Sequence, residues 1–74
     1  MTTTNVIADV TGTVWKIVVA VGDRVDVDQE VMILESMKME IPALAPGAGV
    51  VQSLRVAEGE AVSEGQVLAV LQSG

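Results

Sequence analysis

Glu35-Ser36-Met37-Lys38-Met39-Glu40 stands almost at the middle of a 74-residue chain, and the residues on either side of it repeat one another. Shifting the chain by 37 positions and laying residues 6–35 over 43–72 gives identities at Ala8/Ala45, Gly12/Gly49, Val14/Val51, Val19/Val56, Ala20/Ala57, Gly22/Gly59, Val25/Val62, Gln29/Gln66 and Leu34/Leu71. Ile17/Leu54, Asp23/Glu60, Val31/Leu68 and Ile33/Val70 are conservative matches. Two copies are too few for a solenoid. They predict two halves related by a pseudo-two-fold, neither able to bury its apolar face alone. The central stretch joins those halves, so its turn has no counterpart inside either one.

Half of the residues are apolar, valine is abundant, and Trp15 is the only aromatic residue. That composition favours strands. No segment shows helical periodicity over a useful length. A chain this short buries only roughly 60% of its unfolded surface, so every core position matters. It has neither cysteine nor histidine, which removes disulfides and the usual zinc ligand sets. The net charge of −6 argues against nucleic acid and against an anionic membrane surface as partners. The acidic residues are scattered among turns and read as solubilising. The N-terminus lacks the basic and apolar regions of a signal peptide. The apolar run Ile17 to Val21 is far too short to span a bilayer. The default location is cytoplasmic.

Residues 1–74 form one domain on this reading, with residues 1–5 a polar, frayed tail. Strands are predicted over Val6–Val10, Val14–Val21, Glu30–Ser36, Met39–Ala45, Gly49–Val56 and Val67–Leu71, with short extended pieces at Arg24–Val27 and Ala61–Val62. Gly22-Asp23, Asp28-Gln29, Pro46-Gly47, Glu58-Gly59 and Gly65-Gln66 are turn signals, and Gly22 and Gly59 suit a positive φ. Val31 and Ile33 are expected on one face of their strand, and Met32 and Leu34 on the other. Pro42 inside a strand suggests an edge position. Val14 and Ile17 are an odd number of residues apart, so a regular strand would send them to opposite faces. A β-bulge near Trp15-Lys16, and another near Gln52-Ser53, would turn both apolar sets inward and leave Trp15 outside. Trp15 is given no functional role. Chain termini and central turn are expected at opposite ends of the domain.

A lysine in a turn is most often merely solvated. Here residues 36–39 contain none of the usual turn formers Gly, Asn, Asp or Pro, and methionines flank Lys38 on both sides. Methionine is over-used on recognition surfaces. A lysine amine is mostly protonated at neutral pH and is a poor nucleophile without a base beside it. Glu35 and Glu40 are acids, and no basic side chain other than Lys38 lies in the stretch. Lys38 therefore reads as a substrate for another enzyme, which would supply deprotonation and an activated acyl group.

The stretch Glu35 to Glu40 resembles the attachment motif of biotin carboxyl carrier domains, usually Ala/Ser-Met-Lys-Met, and the repeat over about residues 6–72 resembles the biotinyl/lipoyl domain family. The resemblance implies an all-β fold, a flattened barrel of two four-stranded antiparallel sheets known as the barrel-sandwich hybrid. It implies covalent biotin on Lys38, added by a biotin protein ligase, and a tethered group that carries carboxylate from a biotin carboxylase to a carboxyltransferase. Met37 and Met39 would serve recognition by the ligase and partner enzymes, with Glu35 and Ser36 completing the turn motif. Ser36 stands where Ala is commoner. Lipoyl domains carry Asp-Lys-Ala at this turn, so lipoate is the second alternative for the same fold. An unmodified β interaction or adaptor module is the third. There is no room for the protruding loop of some bacterial carriers, nor a Pro/Ala-rich linker. Such a minimal domain fits a small complete protein and a carboxylase segment alike. The expected molecule is a monomer with no enzymatic site of its own.

Overall fold

The computed structural model describes residues 2–73. Eight strands appear in order: β1 (Thr2–Ile7), β2 (Gly12–Ile17), β3 (Arg24–Val25), β4 (Glu30–Ser36), β5 (Met39–Leu44), β6 (Gly49–Leu54), β7 (Ala61–Val62) and β8 (Val67–Ser73). They form two four-stranded antiparallel sheets, ordered β1-β8-β6-β3 and β5-β4-β2-β7. The two four-stranded antiparallel sheets implied by the family resemblance are therefore the ones observed. Following the chain from strand to strand, each link crosses from one sheet to the other except one. Among the described residues only β4 and β5 are consecutive in sequence and adjacent in the same sheet.

The two-fold relation holds at the level of single hydrogen bonds. Gly22 N–H donates to the Val51 carbonyl as Gly59 N–H does to that of Val14, and Val51 N–H donates to Asp23 as Val14 N–H does to Glu60. The matched side chains at 23/60 and 29/66 have one job each. Asp23 and Glu60 carboxylates accept from the N–H of Ala20 and Ala57, and Gln29 and Gln66 amide oxygens accept from the N–H of Asp26 and Ser63. Gly22 and Gly59 have φ of 96° and 89°, as expected. Gly65 (φ 88°) has Asp28 (φ 66°) as its counterpart, so one half supports an aspartate in the left-handed region where the other uses glycine.

The core is likewise paired at a spacing of 37: Val6/Ala43, Ala8/Ala45, Val14/Val51, Val25/Val62, Val31/Leu68, Met32/Ala69 and Leu34/Leu71 are all buried. Register shifts at Val14/Lys16 and Val51/Ser53 mark the two predicted bulges. They let Ile17, Val19 and Leu54 pack against the core beside the buried Val14, Val51 and Val56, and they leave Trp15 49% exposed. Pro42 lies on β5, an edge strand, as its missing N–H requires.

Several expectations are corrected. Residues 2–5 are no frayed tail; Thr2 to Asn5 pair with Ser73 to Val70 of β8. Three consecutive β-branched threonines suit a strand, and β8 would otherwise expose an unpaired edge. Met1 lies outside the described residues. The first strand thus ends at Ile7, short of Val10. The long strands stop at Ile17 and Leu54, because residues beyond them cross the sandwich to the other sheet. Val18 and Val21 are exposed on that crossing. The short third piece ends at Val25, β5 at Leu44, and β8 runs on to Ser73. Val31 joins Met32 and Leu34 inside, because the register shifts between Glu30 and Met32.

Candidate functional site

The β4–β5 hairpin closes on two residues. Ser36 pairs with Met39, leaving Met37 and Lys38 as the loop, with φ of 52° and 65°. Positive φ at both central positions is the pattern of a type I′ turn, whose twist matches that of the flanking strands. Asn-Gly is the usual occupant. A side chain with a Cβ in this region costs about 1–2 kcal/mol per residue, so the turn is held by what surrounds it. The Ser36 hydroxyl donates to the Thr11 carbonyl at 2.9 Å, and the Thr11 hydroxyl accepts from the Glu64 N–H at 3.0 Å. These two bonds tie the hairpin base to the β1–β2 and β7–β8 connections. Gly12 lets β2 lie against the Glu35 carbonyl, and a Cβ there would collide with that backbone and press on Ser36.

Placed on this frame, Lys38 is exposed at the tip. Met37 is 92% and Met39 64% exposed, whereas Met32 of β4 is fully buried. The contrast rules out a core role for the two tip methionines. Glu35 and Glu40 are exposed and directly opposite one another, one residue pair below the tip. Like charges so placed cost a few tenths to about 1 kcal/mol. Ser36 is partly buried and braces the turn. All five residues singled out in the sequence are thus brought together within one hairpin. Trp15, on the β2 bulge, is not part of it.

The hairpin is far from the described ends of the chain. Thr2 and Ser73 pair at one end of β1, and the loop after its other end reaches the Ser36 hydroxyl at the hairpin base. The long dimension is 36 Å, against 19 Å for the others. A shallow depression bordered by Asn5, Arg55, Gln66, Val67 and Val70 belongs to the opposite sheet. Among the described residues no acidic cluster could hold a metal ion, and no helix is long and apolar enough to cross a membrane. An exposed lysine on a braced tip can be reached by a second protein's cleft.

One residue escaped the sequence reading. Thr11 supports the turn through both its carbonyl and its hydroxyl, and its counterpart at a spacing of 37 is Ala48, which has no hydroxyl. That departure from the repeat was the available signal. Gly12 and Gly49 stand out as an identity, but close backbone approach is visible only in three dimensions. Gly49 lies against the Gln72 carbonyl, at 2.7 Å from an added Cβ, as Gly12 lies against Glu35.

Comparison with known proteins places this arrangement. The biotin/lipoyl family model, described as "Biotin-requiring enzyme", matches residues 1–71. A biotin/lipoyl attachment protein of Bacillus subtilis is 48% identical over 62 residues, covering 84% of this chain and 85% of that protein. A biotin carboxyl carrier protein of Streptococcus mutans is 44% identical over 61 residues, covering 82% of this chain but 47% of that protein. Among solved structures, the urea carboxylase of Kluyveromyces lactis contains a segment that superposes with a TM-score of 0.92 at 33% identity. It covers 97% of this chain and 6% of the carboxylase. The chain belongs to the biotin/lipoyl attachment family.

Proposed function

We propose, from that membership and from the geometry of the β4–β5 hairpin, that the chain is a biotin carboxyl carrier and that Lys38 is its attachment point. The observation that carries the proposal is the tip itself. Among the described residues, the only hairpin joining neighbours in one sheet displays an exposed lysine on a strained two-residue turn, between two exposed methionines. The residues fit the group. Lys38 is reachable, its turn is braced by Ser36 and Thr11, and nothing in the described structure covers it. Attachment forms an amide between the Lys38 Nζ and the carboxyl carbon of biotin. The activated acyl donor, its leaving group and the base that removes the ammonium's protons come from a biotin protein ligase, since this chain has neither histidine nor cysteine to offer. The chemistry supplied by attached biotin is carboxylate transfer between a biotin carboxylase and a carboxyltransferase.

The chain's own contribution is display. A rigid sandwich holds the turn clear of the body, and tethering keeps the carried group at high effective concentration near its partners. Met37 and Met39 offer apolar, adaptable contact at the point where ligase and carboxylase must bind. Loss of the Lys38 charge on modification makes a chain of net charge −6 more acidic still. The isolated chain is a monomer on this reading.

Co-expression with a biotin protein ligase followed by a streptavidin blot tests the reading. A band that disappears in Lys38→Ala is expected. Absence of a band in the parent, or its persistence in the variant, overturns it. Lipoate is the second reading because the family spans both groups; the intact mass separates a lipoyl from a biotinyl adduct.

A further inference from the structure

The three described methionines form a graded series, and the gradient runs toward the modified lysine. Met32 is 0% exposed in the core, Met39 is 64% exposed and Met37 is 92% exposed. Nothing in the fold requires a methionine at position 37. Its backbone is left-handed at φ 52°, a conformation that asparagine or glycine would occupy with less strain. An apolar thioether held in water on a strained turn contributes only when a partner covers it. The element that recognition depends on is therefore also the most oxidisable group described in the molecule.

We infer that Met37, followed by Met39, is a site of selective sulfoxidation by peroxide, and that this modification closes Lys38 to attachment. The inference rests on the carrier reading above. In the step, the methionine sulfur attacks one oxygen of hydrogen peroxide. A new S–O bond forms, the O–O bond breaks, the sulfur is oxidised by two electrons, and the other peroxide oxygen leaves as water with the proton given up by the transferred one. No other co-reactant enters. The product is a polar sulfoxide, which disrupts a methionine-based contact and is reversible by methionine sulfoxide reductases. Exposure sets the order of reaction, because the core excludes peroxide from Met32 until the domain opens. The backbone turn and the Lys38 amine are chemically unchanged, so the effect falls on docking and leaves the fold intact.

The test uses the unmodified folded chain and graded hydrogen peroxide, with tandem mass spectrometry to assign each oxygen. Oxidation is expected first at Met37, then at Met39, with Met32 unreacted while circular dichroism keeps its native form. Material oxidised only at the tip should be biotinylated by a biotin protein ligase roughly tenfold more slowly, the scale of losing one apolar anchor at a docking site. Methionine sulfoxide reductases should restore the rate. Met37→Leu with Met39→Leu should make whatever rate remains indifferent to peroxide. The inference is overturned if Met32 oxidises as fast as Met37, or if tip-oxidised protein is biotinylated at the untreated rate. Failure of the untreated chain to accept biotin would instead overturn the carrier reading, and the order of oxidation would still be read.

Discussion

The two ends of the molecule are built on one plan. At one end Ser36 pairs with Met39, Glu35 with Glu40, Leu34 with Ile41 and Ile33 with Pro42; at the other Ser73 pairs with Thr2, Gln72 with Thr3, Leu71 with Thr4 and Val70 with Asn5. Every one of these pairs maps onto its counterpart by the 37-residue shift, and Gly12 lies against Glu35 as Gly49 lies against Gln72. The first end is closed by Met37-Lys38 and the second is open. The difference lies in what is attached to the shared frame. The closed end carries two carboxylates, two exposed methionines and the Ser36–Thr11–Glu64 brace. At the open end Ser73 bonds to Thr2 across the pair, and the acids are replaced by Gln72 and Thr3. Symmetry builds the scaffold; the proposed attachment site sits where a two-fold chain is obliged to break it.

Exchanging the ends breaks the comparison most severely. A circular permutant that joins Gly74 to Met1 and opens between Met37 and Lys38 should keep the β spectrum of the parent and lose biotinylation entirely. A permutant that fails to fold would show that the ends are not equivalent. Core substitutions sharpen the symmetric part. Val14→Ala and Val51→Ala, both at fully buried sites, should each cost roughly 2–3 kcal/mol from lost transfer free energy plus a cavity. Urea denaturation should find the two values alike. The glycines separate scaffold from display. Gly12→Ala and Gly49→Ala should each cost about 1–3 kcal/mol as backbones are pushed apart, but only Gly12→Ala should also slow ligase modification, because its neighbours are Glu35 and Ser36. The smallest effect is expected at the turn. Met37→Asn should stabilise the domain by about 0.5–1 kcal/mol through a residue suited to positive φ, while slowing modification; unchanged modification would remove Met37 from recognition.

The repeat made the paired core and the turn glycines legible in the sequence, and the odd spacing of Val14 and Ile17 located both bulges. The central position of Lys38 between methionines located the candidate site. Three features stayed hidden for physical reasons. Apolar runs such as Val14 to Val21 continue past the sheet onto a crossing, and hydropathy cannot tell a strand from a valine-rich connection. Thr2 to Asn5 are polar and exposed, so no burial pattern marks them; their stability comes from main-chain pairing with β8. The brace at Thr11 depends on residues 25 and 53 positions away, contacts that no local pattern encodes.

The chain contains two lysines, and they give the central claim its most direct measurement. Lys16 lies on β2, in the body of the sandwich, and Lys38 on the closed end. After complete modification by a biotin protein ligase, proteolysis and tandem mass spectrometry should find a single biotin per chain, carried on Lys38, with Lys16 free. Biotin on Lys16, on both lysines, or on neither would contradict the account that this fold exists to display one lysine at one end.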